Sequence, residues 1–232
     1  MRMKSSRLAF VVAVLLTFAL SPACATSSYD YKKGEYVVIS DGLAPNKRLS
    51  LASHGDGDQG DQNFHVWLMA EPAHRRIMAL DDISSSNNLD TGADAYYAIW
   101  SADSHRVAVS FRRERHAIQL NIYEIEGGRA RLTSGPSLFE EVTGRNIDKQ
   151  EDIRNSTSEI SWSGPNRFKL SERVLVKTSD AGFLRGLGKY GKLSSKEDDG
   201  ALFVEFSAEA DCVIIPGNRY RIVNIKVGEF VQ

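Results

Sequence analysis

Hydrophobic and polar residues alternate in short runs along most of the chain. Val107, Val109 and Phe111 fall on one side of an extended segment, and Ala108 and Ser110 fall on the other. This period of two predicts β-strands, and no long helical stripe accompanies it. The predicted strands cover residues 35–40, 48–53, 64–69, 75–80, 106–111, 118–123, 167–176, 201–206, 219–222 and 223–227. About ten strands in this spacing predict a mainly β fold with antiparallel sheets.

The segments between the strands are rich in turn-forming residues. The predicted turns lie at residues 41–42, 127–128, 199–200 and 216–218, where glycine or asparagine can take positive φ at little cost. One short helix is predicted after Ser137, because Glu140 lies at capping-box spacing from it. Residues 182–191 are glycine-rich and predict a mobile loop, whereas residues 147–158 predict an exposed connection.

The first 25 residues have the pattern of a secretory signal peptide. Residues 2–7 carry three basic side chains, and residues 8–20 are apolar apart from one threonine. An apolar run of about thirteen residues suits a signal sequence and is too short to span a bilayer. The Ala-Cys-Ala of residues 23–25 matches the small-x-small pattern that signal peptidase recognises. We therefore expect cleavage after Ala25 and a single mostly β domain over residues 26–232.

Export of this domain predicts a periplasmic or secreted protein. The alternative is a lipoprotein anchored at Cys24, for which Ala23 fits the position before the acylated cysteine. Ser21 stands where such signals usually have an aliphatic residue, so the soluble form is favoured.

The mature chain has an acidic balance and no second apolar run of membrane length. Removing the signal lowers the number of basic residues from 29 to 26 against 30 acidic residues, so the net charge falls to about −4. Nucleic-acid binding requires a basic surface, and this composition therefore argues against it. No transmembrane span is predicted in the mature chain.

Cleavage also leaves Cys212 as the single cysteine of the mature chain. An intramolecular disulfide is then impossible, and the domain must depend on a hydrophobic core. Because Cys212 adjoins an apolar run, we expect a buried structural thiol there.

A weak repeat relates two aromatic strand ends. Residues 100–107 read WSADSHRV, and residues 162–168 read WSGPNRF. The longer segment 97–131 resembles one blade of a TolB-like β-propeller, whose repeat usually reads Trp-Ser-Pro-Asp-Gly before an apolar strand. This chain departs from that pattern at Ala102 and Ser104, and its second copy lacks the aspartate.

The resemblance implies a partial or small propeller-like arrangement of blades. TolB-like propellers commonly serve as interaction platforms, so the resemblance also implies a binding role. A β-sandwich built from the same hairpins is the alternative architecture.

Three arginines form the leading candidate for a binding site. Arg112, Arg113 and Arg115 fall between two predicted strands, where we expect their guanidinium groups to lie in water. Such a cluster could hold a phosphate or carboxylate of an anionic envelope component or of an envelope protein. The alternative is a charged hairpin tip that keeps a sheet edge soluble.

The remaining motifs predict neither a metal site nor a catalytic site. Residues 54–61 contain three aspartates, but their spacing does not fit an EF-hand and predicts a solvated loop. No nucleophile, zinc or phosphate-loop motif is present in the sequence, and no cofactor is predicted. The sequence therefore predicts a non-catalytic exported binding protein. The alternative is an envelope hydrolase or lyase whose catalytic residues come together only in the fold.

Overall fold

The computed structural model describes residues 26–86, 88–146 and 152–230. Strands make up 58% of these residues and helices 11%, so the chain is mainly β, as the alternation of hydrophobic positions predicted. The predicted signal peptide, with Cys24 and the cleavage site at Ala25, lies outside the described residues.

Thirteen strands and two α-helices form within the described ranges. The strands are β1 (Val37–Leu43), β2 (Leu49–Asp56), β3 (Gln62–Ala70), β4 (Arg75–Ser84), β5 (Tyr97–Trp100), β6 (Arg106–Glu114), β7 (Ala117–Glu126), β8 (Arg129–Thr133), β9 (Ile153–Gly164), β10 (Arg167–Thr178), β11 (Gly191–Lys196), β12 (Leu202–Ile215) and β13 (Arg219–Val227). The helices are α1 (Leu138–Thr143) and α2 (Ala181–Leu187). No helix in this part of the chain is long and apolar enough to cross a membrane.

The strands hydrogen-bond in one mixed sheet that is not closed. Its order is β11-β12-β10-β9-β7-β6-β5-β1-β2-β3-β4, with β13 also on β12 and β8 also on β7. Antiparallel pairing defines a first group (β1–β4), a second group (β5–β8) and a third group (β9–β13). The groups are joined by two short parallel contacts, one between Ser40 and Tyr97 and one between Ala117 and Ser156.

Two hydrophobic cores lie between these groups. The first core joins the first and second groups and contains Phe64, Tyr96 and Phe111, whose rings stack with centroid distances of 5.5 and 6.0 Å. The second core joins the second and third groups, and in it Phe139 packs edge-on against Phe206 at 5.2 Å. The three groups are therefore packed face to face, with one core in each interface.

The second group is buried on both faces. Val107, Val109 and Phe111 of β6 belong to the first core, whereas Ala108 belongs to the second. Alternate side chains of a strand point to opposite faces, so a strand between two cores must be apolar at nearly every position. This explains why Val107, Ala108 and Val109 of β6 are apolar without interruption.

Two tryptophans link each group to the one before it. The Trp100 indole N–H, at the end of β5, donates to the Gly42 carbonyl of β1 at 3.1 Å. The Trp162 indole N–H, near the end of β9, donates to the Ile99 carbonyl of β5 at 2.8 Å. The two Trp-Ser segments found in the sequence thus occupy comparable places in successive groups.

The turn after Trp100 has a counterpart in the first group that the sequence comparison did not find. In residues 44–49 and 101–106, the first N–H donates to the last carbonyl, at 2.9 and 2.8 Å. Asn46 and Asp103 each accept from the backbone N–H two residues later, and Lys47 and Ser104 both have positive φ. Ser104 stands where the blade motif usually has glycine, which is the residue that positive φ favours.

The predicted helix is confirmed, and one further helix was not predicted. α1 begins after Ser137, whose hydroxyl accepts from the Glu140 N–H at 3.0 Å. The predicted mobile loop at residues 182–191 is wrong, because α2 forms there with Phe183 and Leu187 buried in the second core. α2 has only seven residues, which are too few to show a helical period of hydrophobic positions in the sequence.

Two other local predictions were also wrong in part. Residues 153–158 belong to β9 and not to an exposed connection, while residues 147–151 lie outside the described residues. Asp41-Gly42 lies inside β1 at an irregularity and is not a turn. Gly42 is required there for space, since a Cβ would lie 2.6 Å from the Leu51 carbonyl oxygen. The other three predicted turns are present.

Candidate functional site

Arg112 does not have its predicted position in water. Its Nε and Nη2 donate to the two carboxylate oxygens of Asp90 at 2.9 and 2.6 Å, and Asp90 is 3% exposed. A bidentate pair of this kind is a fixed structural contact. The expectation of three water-exposed guanidinium groups is therefore wrong at Arg112.

Asp90 also fixes the start of the described chain. Its carboxylate accepts from the Ser27 N–H at 2.7 Å, and the Ser27 hydroxyl donates to Asp94 at 2.6 Å. The Tyr96 hydroxyl donates to the Asp90 carbonyl at 2.5 Å. Arg112 is thus part of a hydrogen-bonded junction between the segment at Ser27 and the second group.

Arg113 and Arg115 are exposed, as predicted, but they lie in different surroundings. Arg113 contacts Gln119 on the neighbouring strand, with its Nη1 donating to Oε1 at 3.4 Å, and it lines the mouth of a cleft. Arg115 is not among the residues that line this cleft. The three arginines therefore do not form one anion site.

The cleft lies between the second and third groups and has a volume of about 330 Å³, which is within the range of small-ligand sites. It opens where β7 and β9 part after the contact between Ala117 and Ser156. On the same side of β7, pairing with β8 begins at Ile122 and Thr133. The interval between these two contacts leaves a gap in the sheet.

Side chains of the third group form the floor of this gap. Ser156 and Ser158 come from β9, and Leu170 and Glu172 come from β10. These residues share the inner face of the two strands with the second core, so the cleft is an opening in that interface.

The segment after β8 covers one side of the cleft. The Ser134 N–H donates to the Asn218 carbonyl, and the Tyr220 N–H donates to the Ser134 carbonyl, both at 2.9 Å. The Tyr220 hydroxyl donates to the Pro136 carbonyl at 2.9 Å. Gly135 lies directly on the Tyr220 ring, because a Cβ there would be 2.4 Å from a ring carbon. The cover is thus held to β13 by close contacts that need glycine at this position.

Two glutamates line the cleft in different surroundings. Glu172 is 4% exposed and accepts from the Phe139 N–H at 3.0 Å, whereas Glu140 is exposed. Burial raises the pKa of Tyr220 above its ordinary value, and the nearby Cys212, Glu172 and Glu140 raise it further. The Tyr220 hydroxyl is therefore neutral across the physiological pH range.

One buried polar group of the cleft has no partner. Thr133 is 5% exposed, and its Oγ1 has no hydrogen-bond partner among the described residues. Thr133 pairs across the sheet with Ile122, so both side chains project from the same face. Since Ile122 also lines the cleft, an occupant of the cleft could satisfy this hydroxyl. Buried polar groups are normally hydrogen-bonded.

The other candidate positions are structural. In the acidic segment 54–61, the Gln59 N–H donates to Asp30 at 2.8 Å and its carbonyl accepts from Thr91 at 2.5 Å. Within the ranges that the structure covers, no group of three or more His, Cys, Asp or Glu side chains is arranged to hold a metal ion. Cys212 is 1% exposed and burial raises its pKa to about 12, which confirms the predicted buried thiol.

No protein-family model matches the chain, and no curated protein or solved structure is significantly similar to it. The TolB-like resemblance of residues 97–131 stays a prediction based on those residues.

Sequence reasoning found one residue of the cleft as a candidate, namely Arg113. It did not find Thr133, Glu172 or Tyr220, which come from three different strands. The sequence did contain a signal for Glu172. It lies between Leu170 and Val174 in the series of alternate residues that forms the inner face of β10, and both of these neighbours are apolar.

Proposed function

We propose that this chain is an exported, non-catalytic binding protein and that the cleft holds part of a cell-envelope macromolecule. The observation that carries the proposal is a cleft of ligand size that contains the unpartnered buried hydroxyl of Thr133. Binding sites are typically concave and mostly apolar, with a few fixed polar groups. Leu120, Leu132 and Leu170 supply the apolar part of this cleft, and Thr133 and Glu172 supply buried polar groups.

The lining also supports binding over catalysis. Among the described residues, no histidine or cysteine lines the cleft, and these side chains are the commonest general bases and strong nucleophiles. Arg113 at the mouth supports a contact with an anionic group of an envelope component.

The binding proposal is tested by filling the cleft. Ser158 lines the cleft on β9, whereas Ser161 is exposed on the same strand and faces away from it. We expect Ser158→Trp to lose retention on an immobilised cell-envelope fraction, and Ser161→Trp to be retained like the wild type. Leu132→Glu provides a second variant, because Leu132 lines the cleft but is 40% exposed and tolerates substitution. Equal retention of all four proteins would contradict the proposal.

A hydrolase or lyase acting on an envelope glycan or ester is the second candidate function. The exposed Glu140 and the buried Glu172 line the same cleft in different surroundings, and such a difference can separate the roles of acid and base. Turnover of an envelope glycan or ester by the wild type that is lost in Glu140→Gln and kept in Glu141→Gln would favour this candidate. Glu141 is a matched control because it neighbours Glu140 on α1 and does not line the cleft.

Export is part of the same proposal. Ser27, two residues after the predicted cleavage site, is hydrogen-bonded to Asp90 of the domain, as expected if the folded domain begins near this site. Intact-mass measurement of protein recovered from the periplasm or medium should give a chain that begins at Thr26. A lipid-modified N-terminal Cys24 would contradict the soluble form.

A further inference from the structure

We infer that the occupant of the cleft is an extended polypeptide segment that adds as a strand along the free edge of β7 at residues 118–121. The inference rests on the proposed function, because it assumes that the cleft is the binding site. It goes further by assigning the chemical class of the partner and the backbone groups that recognise it.

Among the described residues, the edge of β7 has no pairing partner over this interval. On one side, β7 pairs with β6 along nearly its whole length. On the other side, Ala117 pairs with β9 and residues 122–126 pair with β8. Within the part of the chain that the structure describes, no strand pairs with residues 118–121 on that side.

The cleft runs along the backbone of this interval. All six residues from 117 to 122 line it. Successive side chains of a strand point to opposite faces of the sheet, so a cavity that contacts only one face would be lined by alternate residues. Continuous lining therefore means that the cleft borders the strand edge, where backbone N–H and C=O groups point outward.

An extended peptide is the ligand that suits a free strand edge. It can pair with the exposed N–H and C=O groups, as in other cases of strand addition. The interval of four residues corresponds to about 13 Å of extended chain. The β8 pairing at one end and the Ala117 contact at the other limit the added strand to this length.

The side chains of the cleft favour a basic residue in the peptide. The charged residues that line it are Arg113, Glu140 and Glu172, so carboxylates outnumber guanidinium groups. The stem of a lysine side chain would contact Leu170 on the floor, and its ammonium would approach the carboxylates. The Thr133 hydroxyl would meet a polar group of the same peptide.

The test uses two blocked hexapeptides that differ only in their backbone. The first is Ac-Val-Thr-Lys-Val-Thr-Val-NH₂, and the second has the same sequence with every amide between its residues N-methylated, which removes the N–H donors from both edges of the peptide and keeps the side chains. Binding to the mature protein is followed by amide chemical shifts and hydrogen exchange. At saturation with the first peptide, we expect exchange at alternate amides of residues 118–121 to slow at least about tenfold. The N-methylated peptide should leave it unchanged.

The structure provides a matched control strand for this experiment. β11 is exposed along its length and has a free edge at the end of the sheet. Slowed exchange at β11 equal to that at residues 118–121 would mean unselective edge pairing and would overturn the inference. Replacing the lysine of the peptide by glutamate should weaken binding at least about tenfold, since the carboxylates would then repel it. Unchanged affinity would contradict the assigned charge preference.

Failure of the inference can be told apart from failure of the proposed function. If a chito-oligosaccharide shifts the cleft amides and neither peptide does, the partner is a glycan and the peptide assignment is wrong, while binding at the cleft stands. If the first peptide binds but the N-methylated peptide binds equally well, strand addition is wrong. If neither probe binds and Ser158→Trp is still retained on the envelope fraction, the inference and the proposed function are both wrong.

Discussion

The two interfaces between the strand groups start from the same geometry and end differently. In each, two strands meet in parallel at one residue pair and then separate. The interface of the first core is filled by the aromatic stack of Phe64, Tyr96 and Phe111. The interface of the second core contains the cleft. The comparison shows that side chains fill the first interface, whereas the second interface keeps an open space, which is the cleft.

The first interface is filled by a segment that has no counterpart among the described residues of the second interface. Tyr31, in the segment before β1, packs on the first core and donates from its hydroxyl to Ser53 at 2.8 Å. The Asp90–Arg112 pair lies beside it and holds Ser27. At the second interface, the corresponding space is bordered by polar residues and a free strand edge. The first interface is therefore a structural junction, and the second is the proposed binding site.

The largest expected effect comes from breaking the ion pair of the first interface. Arg112→Ala would leave the Asp90 carboxylate buried without its main partner, which typically costs about 3–5 kcal/mol. Arg113→Ala should change the free energy of unfolding by no more than about 0.5 kcal/mol, because Arg113 is exposed. Chemical denaturation of the two variants measures this difference.

The double variant Asp90→Asn with Arg112→Met sharpens the comparison. It removes both charges, so it should lose less stability than Arg112→Ala alone. Equal, small losses in Arg112→Ala and Arg113→Ala would mean that the pair does not hold the first interface together.

The next largest effect concerns Trp100, which joins the first and second groups. Trp100→Ala should lose about 3 kcal/mol, the lower end of the usual cost of truncating a large aromatic, because the side chain is half-buried. Trp100→Phe keeps most of the packing and removes the hydrogen bond to Gly42, so it should lose about 1 kcal/mol. Thermal melting of both variants checks the order. A wild-type melting temperature for Trp100→Ala, together with loss of envelope binding, would make the tryptophan a ligand contact.

A smaller effect is expected at the cover of the cleft. Gly135→Ala would push the added methyl group into the Tyr220 ring, and overpacking of this kind costs about 1–3 kcal/mol. Gly186→Ala is the control, because a Cβ at this position of α2 meets nothing within 4 Å and alanine favours the helix by about 1 kcal/mol. We therefore expect opposite changes in melting temperature. A shift of the Tyr220 NMR signals in Gly135→Ala alone would place the effect at the cover.

The sequence predicted β6 well because this strand lies between the two cores, whereas β5, β8, β9 and β11 lie outside the predicted strand ranges. Val107 to Phe111 had to be apolar at nearly every position, and that pattern is local. The helix after Ser137 was predictable for the same reason, since its cap involves residues only three apart. Neighbouring residues were enough for these inferences.

The cleft and the ion pair depend on contacts across the chain and could not be predicted in this way. Arg112 meets Asp90 from 22 residues away, and nothing near Arg112 in the sequence distinguishes it from Arg113. Thr133 of β8 and Glu172 of β10 both line the cleft because the second and third groups pack against each other. The sequence therefore indicated a cluster of three arginines, and the fold separates them: Arg112 is structural, Arg113 lines the cleft, and Arg115 is exposed outside it.

The smallest expected effect tests the turn shared by the first and second groups. Lys47 has a φ of 56°, a conformation that is unfavourable for residues other than glycine. Lys47→Gly should remove this conformational cost, although glycine loses more backbone entropy on folding. We expect the free energy of unfolding to rise by up to about 1 kcal/mol. Ser104, with a φ of 61°, holds the corresponding place, but its hydroxyl accepts from the Asn46 N–H at 3.1 Å. Ser104→Gly should therefore raise the free energy of unfolding less than Lys47→Gly does, because it also removes that hydrogen bond between the two turns. Lys47→Val should lose stability, since a β-branched residue resists positive φ. Denaturation midpoints that fall equally in Lys47→Gly and Lys47→Val would show that the lysine side chain, and not the backbone conformation, is what this turn requires.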